Sequence, residues 1–228
     1  MKFDLQIHSK FSKCSITGLK RIINIAEKRG LKGIAITDHN TIKGVEKIKK
    51  YAEKKSIYLI IGEEIKTEYG DIIGLFLKSE IKSRKWKEVI KEIKKQKGLV
   101  YLPHPYYGHK NLERIAKECD IIEVWNSRLS KEKNKMALKL AKKLKKPFGA
   151  GSDAHTPWEI GRSYVDINTE LNEESIKKAL LKNKKFYGIC SHYAYKIFSD
   201  IIKAIREKNI KKIFRMIKGV KKLWKCAY

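Results

Sequence analysis

The feature that most constrains this chain is a series of short apolar runs, each ending in a residue able to hold a metal ion. Gln6-Ile7-His8 closes the first, Thr37-Asp38-His39 the second and Gly62-Glu63-Glu64 the third. Pro103-His104-Pro105 closes a later run, and Gly149-Ala150-Gly151-Ser152-Asp153-Ala154-His155 the one after Phe148. Runs such as Ile34-Ala35-Ile36 and Leu59-Ile60-Ile61 are continuously apolar rather than alternating, as parallel strands covered on both faces require. Asp153 and His155 stand two residues apart, which in an extended segment puts both side chains on one face.

Between the runs lie amphipathic stretches. Strands are expected at 3–8, 33–37, 58–64, 71–77, 99–102, 121–125, 148–152, 164–168 and 186–190. Helices are expected at 18–28, 42–54, 86–96, 112–119, 131–144 and 173–181, several of them stopped by Gly. This alternation points to right-handed βαβ units in one sheet. Six or seven strands with ligand-type residues at their C-terminal ends fit a closed barrel better than an open sheet, and in barrels the site sits at that face.

The charge balance, 53 Lys+Arg against 25 Asp+Glu, leaves a formal net charge of +28. It suits anionic partners such as nucleotides or nucleic acid, and equally the Lys-rich solvated helices of a chain from a hot environment. Cys14, Cys119, Cys190 and Cys226 are scattered with no CxxC pair, so free thiols in a reducing cytoplasm are expected. No apolar run reaches the roughly 18 residues that span a bilayer. From Tyr195 onward the composition turns basic, with Ile197, Ile201, Ile205, Ile213 and Ile217 at near-helical spacing. Residues 1–194 therefore read as the barrel, and 195–228 as a basic amphipathic helical extension on its exterior. That extension is either a docking helix or a contact for RNA, DNA or anionic lipid.

Asp4-Leu5-Gln6-Ile7-His8-Ser9 resembles the opening motif of the PHP (polymerase and histidinol phosphatase) superfamily, usually D-L-H-x-H-S. Ile36-Thr37-Asp38-His39-Asn40 resembles the second motif, Gly62-Glu63-Glu64 the third, and Leu102-Pro103-His104-Pro105 and Gly151-Ser152-Asp153-Ala154-His155 the later ones. The resemblance covers about residues 3–190. It implies a distorted (β/α)7 TIM-like barrel holding two or three divalent ions, typically zinc, manganese or iron, that hydrolyses phosphate esters of histidinol, nucleotides or nucleic-acid ends. Carried over, one ion would use His8, Glu64 and Asp153, with Glu64 bridging to a second held by His104. His39 and His155 would hold a third.

Two positions depart from the pattern. Gln6 stands where a His is usual, and an amide oxygen is a weaker zinc ligand than imidazole. Lys13 and Cys14 stand where Asp or His is usual, and Cys14 is either a thiolate ligand or a small apolar filler. Glu123 and Asn126, at the end of the 121–126 run, are further candidate ligands. Two cations roughly 3.5–4 Å apart would clamp the attacking and leaving oxygens of a phosphoryl displacement, with a metal-bound water as nucleophile. Asp153 and Glu64 are then the most critical residues.

Arg128 and Arg162 are candidate phosphate grips, because guanidinium binds phosphate in a fork, and each could equally be a solvated charge. Trp158 and Tyr106 could stack a base or simply cover the rim. The expected partner is a phosphorylated substrate, nucleotide or nucleic acid, acted on by a nucleotide phosphatase or a 5′–3′ exonuclease. The alternatives are a catalytically weakened barrel that binds nucleic acid and a histidinol-phosphatase-like enzyme.

Overall fold

The computed structural model describes residues 1–209. Nine strands form one sheet: β1 Lys2–Ile7, β2 Gly33–His39, β3 Tyr58–Thr67, β4 Gly70–Leu75, β5 Leu99–Leu102, β6 Ile121–Asn126, β7 Phe148–Gly151, β8 Ser163–Asp166 and β9 Phe186–Gly188. The helices are α1 Leu19–Lys28, α2 Lys49–Lys54, α3 Trp86–Lys95, α4 Leu112–Glu118, α5 Lys131–Lys143, α6 Glu173–Leu180 and α7 Tyr193–Arg206. None of these helices is long and apolar enough to cross a membrane.

The spatial order is β7-β6-β5-β4-β3-β2-β1-β8-β9, so the first seven strands follow one another around the sheet. The ends meet. Ile7 pairs with Ala154 in a parallel bridge, the His8 N–H donates to the Ala154 carbonyl at 2.9 Å and the Asp153 N–H to the Gln6 carbonyl at 2.9 Å. The barrel is distorted by β4, which runs antiparallel to both β3 and β5. The cause is local: a tight hairpin at Tyr69-Gly70, with Gly70 at φ +124, returns the chain where the βαβ pattern would have crossed over. β8 and β9 add an antiparallel margin beside β1.

Leu5, Ala35, Ile60, Ile73, Tyr101, Ile121 and Ala150 are buried in one cluster. Each comes from a different one of β1–β7, so this cluster fills the barrel. A second cluster packs α1 and α2 outside β2 through Ile22, Ala26, Ile34, Ile36 and Ala52. A third packs α3, α4 and α5 outside β5 and β6 through Val89, Ile93, Val100, Ile115, Ile122 and Leu140. The strands are thus apolar on both faces, which is why they read as unbroken runs. The expected helix 42–54 starts late, as a 3-10 turn Glu46–Ile48 before α2. Gly44 sits at φ +79 with the Phe11 ring against it, a conformation no other residue there would hold easily.

Gly149 shows how tightly the barrel is filled. A Cβ on it would lie 2.2 Å from the Tyr101 ring, and that ring is fixed because its hydroxyl donates to Glu123 Oε1 at 2.9 Å. Gly149→Ala is expected to cost about 1–3 kcal/mol of stability through overpacking, read as a lower denaturant midpoint at unchanged slope.

The basic extension departs from expectation in place. Its first part is α7, which lies across the mouth of the barrel rather than on its outer wall, with Lys196, Ser199, Asp200 and Lys203 lining the cleft there. Residues 210–228 of the expected extension lie outside the described residues.

Candidate metal centre

β1, β2, β3 and the segments after β5 and β7 deliver His8, His39, Glu64, His104, Asp153 and His155 to one end of the barrel. His8 Nε2 lies 3.1 Å from Glu64 Oε2 and 3.1 Å from Asp153 Oδ1. His39 Nδ1 is 3.2 Å from the same Glu64 oxygen, and His104 Nε2 is 2.9 Å from the other, Oε1. The His8 ring lies 4.5 Å from that of His39 and 4.3 Å from that of His155.

Two groups of potential ligands result: His8, His39 and His155, and Glu64, Asp71 and His104, each with its ligand atoms within 4.8 Å of one another. Glu64 faces both groups. Alternation selects it over Glu63, whose carboxylate turns outward and accepts the Ile81 N–H at 2.8 Å.

The Asp153–His155 pair is made differently from the way its spacing suggests. β7 stops at Gly151, and Asp153 takes φ +51, a left-handed conformation. A turn, not strand alternation, brings His155 Nδ1 to 2.7 Å from the Asp153 carbonyl and 3.5 Å from its carboxylate. His104 is also at positive φ, +31. Such backbone outliers persist where surrounding structure over-determines them, commonly at functional sites.

Asp71 escapes sequence reasoning because it ends no apolar run. The β3–β4 register pairs it with Lys66, and Lys66 shares a face with Glu64, so the hairpin places Asp71 one step along that face.

Gln6, Glu123 and Asn126 are not in either ligand group; they form an amide and carboxyl network behind it. Gln6 Nε2 donates to Glu64 Oε1 at 3.4 Å, and Asn126 Nδ2 approaches Gln6 Oε1 at 3.3 Å, Glu123 Oε2 at 3.0 Å and Asp153 Oδ2 at 3.3 Å. Glu123 also accepts the His104 N–H at 2.7 Å. Cys14 lines the cleft without joining a ligand group. Asp38 holds the loop after β1, accepting from Ser9 and Ser12, and Ser12 Oγ in turn meets His8 Nδ1 at 3.2 Å. Such partners fix ring orientation in metal sites.

Of the two arginines, only Arg128 lines the cleft. Its Nη2 donates to Ser199 Oγ at 2.6 Å and its Nε lies 3.6 Å from Glu159. Arg162 instead donates to the Cys190 carbonyl at 2.7 Å, so the phosphate role expected for it has no support in its position. Trp158 stacks on Tyr195 of α7 at 5.9 Å, and Tyr106 packs against the outer core.

The electrostatics divide the cluster. Burial opposes protonation of His8 and His104, but Asp153 and Glu64 raise both, His8 well above its usual range and His104 to about 10, so these two rings would give up a proton to hold a cation. Burial pushes His39 down to about 4, and burial with Arg128 nearby pushes His155 well below its usual range, so both rings are neutral with lone pairs available near pH 7. Burial opposes ionisation of Glu64, but His39, His104 and His8 hold it well below the usual carboxylate range. Burial likewise opposes Asp153, and His8 and His155 overcome it. His8 Nε2 and Glu64 Oε2 are fully buried yet have no directed hydrogen bond, although they lie 3.1 Å apart. Two buried polar atoms without a directed hydrogen bond, among mixed imidazole and carboxylate donors, fit a bound metal ion.

A family model described as PHP-associated matches residues 131–184. An uncharacterized protein of Methanocaldococcus jannaschii, MJ0417, is 32% identical, the alignment covering 91% of this chain and 99% of that one. The chain belongs to the PHP superfamily. A second uncharacterized protein of the same organism, MJ1587, is 42% identical over 46% of the chain and 68% of its own length. The fold is shared with solved structures. One is a putative metal-dependent phosphoesterase from Bifidobacterium adolescentis, with TM-score 0.62 and 16% identity, covering 80% of this chain and 96% of that one. Another is an amidohydrolase from Chromobacterium violaceum, with TM-score 0.60 and 15% identity, covering 71% and 90%.

Proposed function

We propose that the chain is a divalent-metal-dependent phosphoesterase acting on phosphate esters of nucleotide size. The observation that carries this reading is one cleft whose floor holds two ligand groups facing a shared Glu64 and whose wall holds Arg128. His8, His39 and His155, with Asp153 beside them, would hold one cation, and Glu64, Asp71 and His104 another. Bound there, divalent cations supply an activated water near neutral pH and neutralise charge at the phosphoryl group. The protein's own part is to orient. Gln6 and Asn126 hold the carboxylates in place, and Arg128, braced by Ser199 and Glu159, offers its remaining N–H donors to the phosphoryl oxygens.

The cleft is small, about 200 Å³, and open at its mouth, below the roughly 300–1,000 Å³ of drug-sized ligand sites. That size suits a phosphoryl group with the rest of a small ester, nucleotide or single-stranded 5′ end extending through the mouth, and disfavours a duplex. The test is a panel of p-nitrophenyl phosphate, a 5′-mononucleotide, histidinol phosphate and a 5′-phosphorylated oligonucleotide, each with manganese and with zinc. Metal-loaded protein that hydrolyses none of them would sink the reading, and metal-free protein that still retains RNA would favour a binding module.

Within this reading, Arg128→Ala is expected to raise KM by about 10- to 100-fold, the loss of a charge-assisted hydrogen bond of about 1.5–3 kcal/mol. Arg128→Lys should recover only part of it, since lysine lacks the planar fork. Steady-state kinetics on p-nitrophenyl phosphate checks both.

A further inference from the structure

We propose that helix α7 is the substrate-binding wall of this site, with Lys196 and Lys203 gripping the oxygens of a phosphate ester. The inference rests on the phosphoesterase reading and names residues that the superfamily motifs do not contain. Lys196, Ser199, Asp200 and Lys203 all line the cleft. Their spacing of three, four and seven residues makes one stripe along the helix.

Three anchors hold that stripe over the mouth. Arg128 donates to Ser199 Oγ at 2.6 Å. Tyr195 lies on Trp158 with the rings 12° from parallel. Arg206 Nη1 reaches the carbonyls of Ser12 at 2.9 Å and Ser15 at 2.8 Å, in the loop that follows β1. The helix is therefore tied to three separate parts of the barrel rim, which a loosely docked extension would not be.

The two lysines stand seven residues apart, about 10 Å along the axis at 1.5 Å per residue, and both line the cleft that holds the ligand groups. The Lys196 ammonium lies 5.3 Å from the Tyr107 ring, and that ring meets His104 edge-on at 5.8 Å. Lys203, about two turns further along the helix, lines the same cleft as Cys14 and His39. Neither ammonium takes part in an ion pair among the described residues, whose paired lysines are Lys55, Lys85, Lys143, Lys177 and Lys178. Two unpaired cations thus face the cleft from above, across from the carboxylates on its floor. An anion held between bound cations and this wall would be neutralised from both sides. Asp200, on the same stripe, sets a limit on that attraction.

The experiment uses full-length, metal-loaded protein with two readouts: calorimetric titration with inorganic phosphate, and KM against kcat for p-nitrophenyl phosphate. Lys196→Ala and Lys203→Ala are each expected to weaken phosphate binding and raise KM by about tenfold, the worth of one charge-assisted contact. Metal content and Tm should stay unchanged and kcat should move far less than KM. Lys196→Arg and Lys203→Arg should retain binding, Asp200→Asn should tighten it, and Lys208→Ala, which does not line the cleft, should leave it unaltered. Unchanged phosphate affinity and KM in both alanine variants would overturn the proposal while leaving the phosphoesterase reading intact. Lysine-dependent phosphate binding without turnover of any ester would overturn that reading and leave this binding wall standing.

Discussion

Glu64→Gln is expected to cut phosphate-ester hydrolysis by about 10³-fold or more while the barrel stays folded. The magnitude follows from removing a cation worth several kcal/mol of charge stabilisation, at 1.36 kcal/mol per factor of ten. The two Glu64 oxygens approach His8, His39 and His104 within 3.2 Å, so this one carboxylate faces both ligand groups. Glutamine keeps the shape and one acceptor but loses the charge that offsets a divalent ion. Asp153→Asn should behave alike, because Asp153 faces His8 at 3.1 Å from the other side. Gln6→Ala should be milder, about 10- to 100-fold, as expected for a residue that orients a ligand. Kinetics, metal analysis and circular dichroism together check the set. Activity of Glu64→Gln within tenfold of the parent would show that the chemistry lies elsewhere.

Stripping the cations with a chelator should lower Tm by roughly 5–10 °C. A ligand at a hundred times its Kd contributes about 2.7 kcal/mol to the folded state, and a domain of this size shifts by about 2–4 °C per kcal/mol. The physical source is the crowding of imidazoles and carboxylates at the barrel end, where buried His8 Nε2 and Glu64 Oε2 lack a directed partner. Readdition of manganese or zinc should restore the midpoint, and in Glu64→Gln the metal-dependent increment should be largely lost. A Tm that does not move while metal analysis records removal would mean that the cluster is not a cation site. Differential scanning calorimetry with parallel metal analysis decides it.

The fold was legible because barrel strands must bury both faces. Ile34-Ala35-Ile36 and Leu59-Ile60-Ile61 could belong to little else, and all nine β segments appear close to where the pattern places them. The six ligand-type residues were legible for a related reason. They close five runs, Asp153 and His155 sharing the last, and the C-terminal ends of parallel strands collect at one face. Asp71 was hidden because it opens a strand, and only the hairpin register brings it beside Glu64. Gln6 is a candidate ligand through the opening motif, and Glu123 and Asn126 through position; their direction, toward one another and toward the carboxylates of Glu64 and Asp153, depends on neighbours more than a hundred residues apart in Gln6 and Asn126.

Local order along the chain thus determined which segments become strands, which become helices and which side chains reach the barrel's end, since periodicity and side-chain alternation act over a few residues. Tertiary structure alone decided that β4 runs backward, that Asp153 kinks to meet His155, that Arg162 turns away and that α7 crosses the mouth with Lys196 and Lys203 inside. Those outcomes depend on which surfaces pack together and which polar groups find partners after the barrel closes, and no short window of residues contains that information.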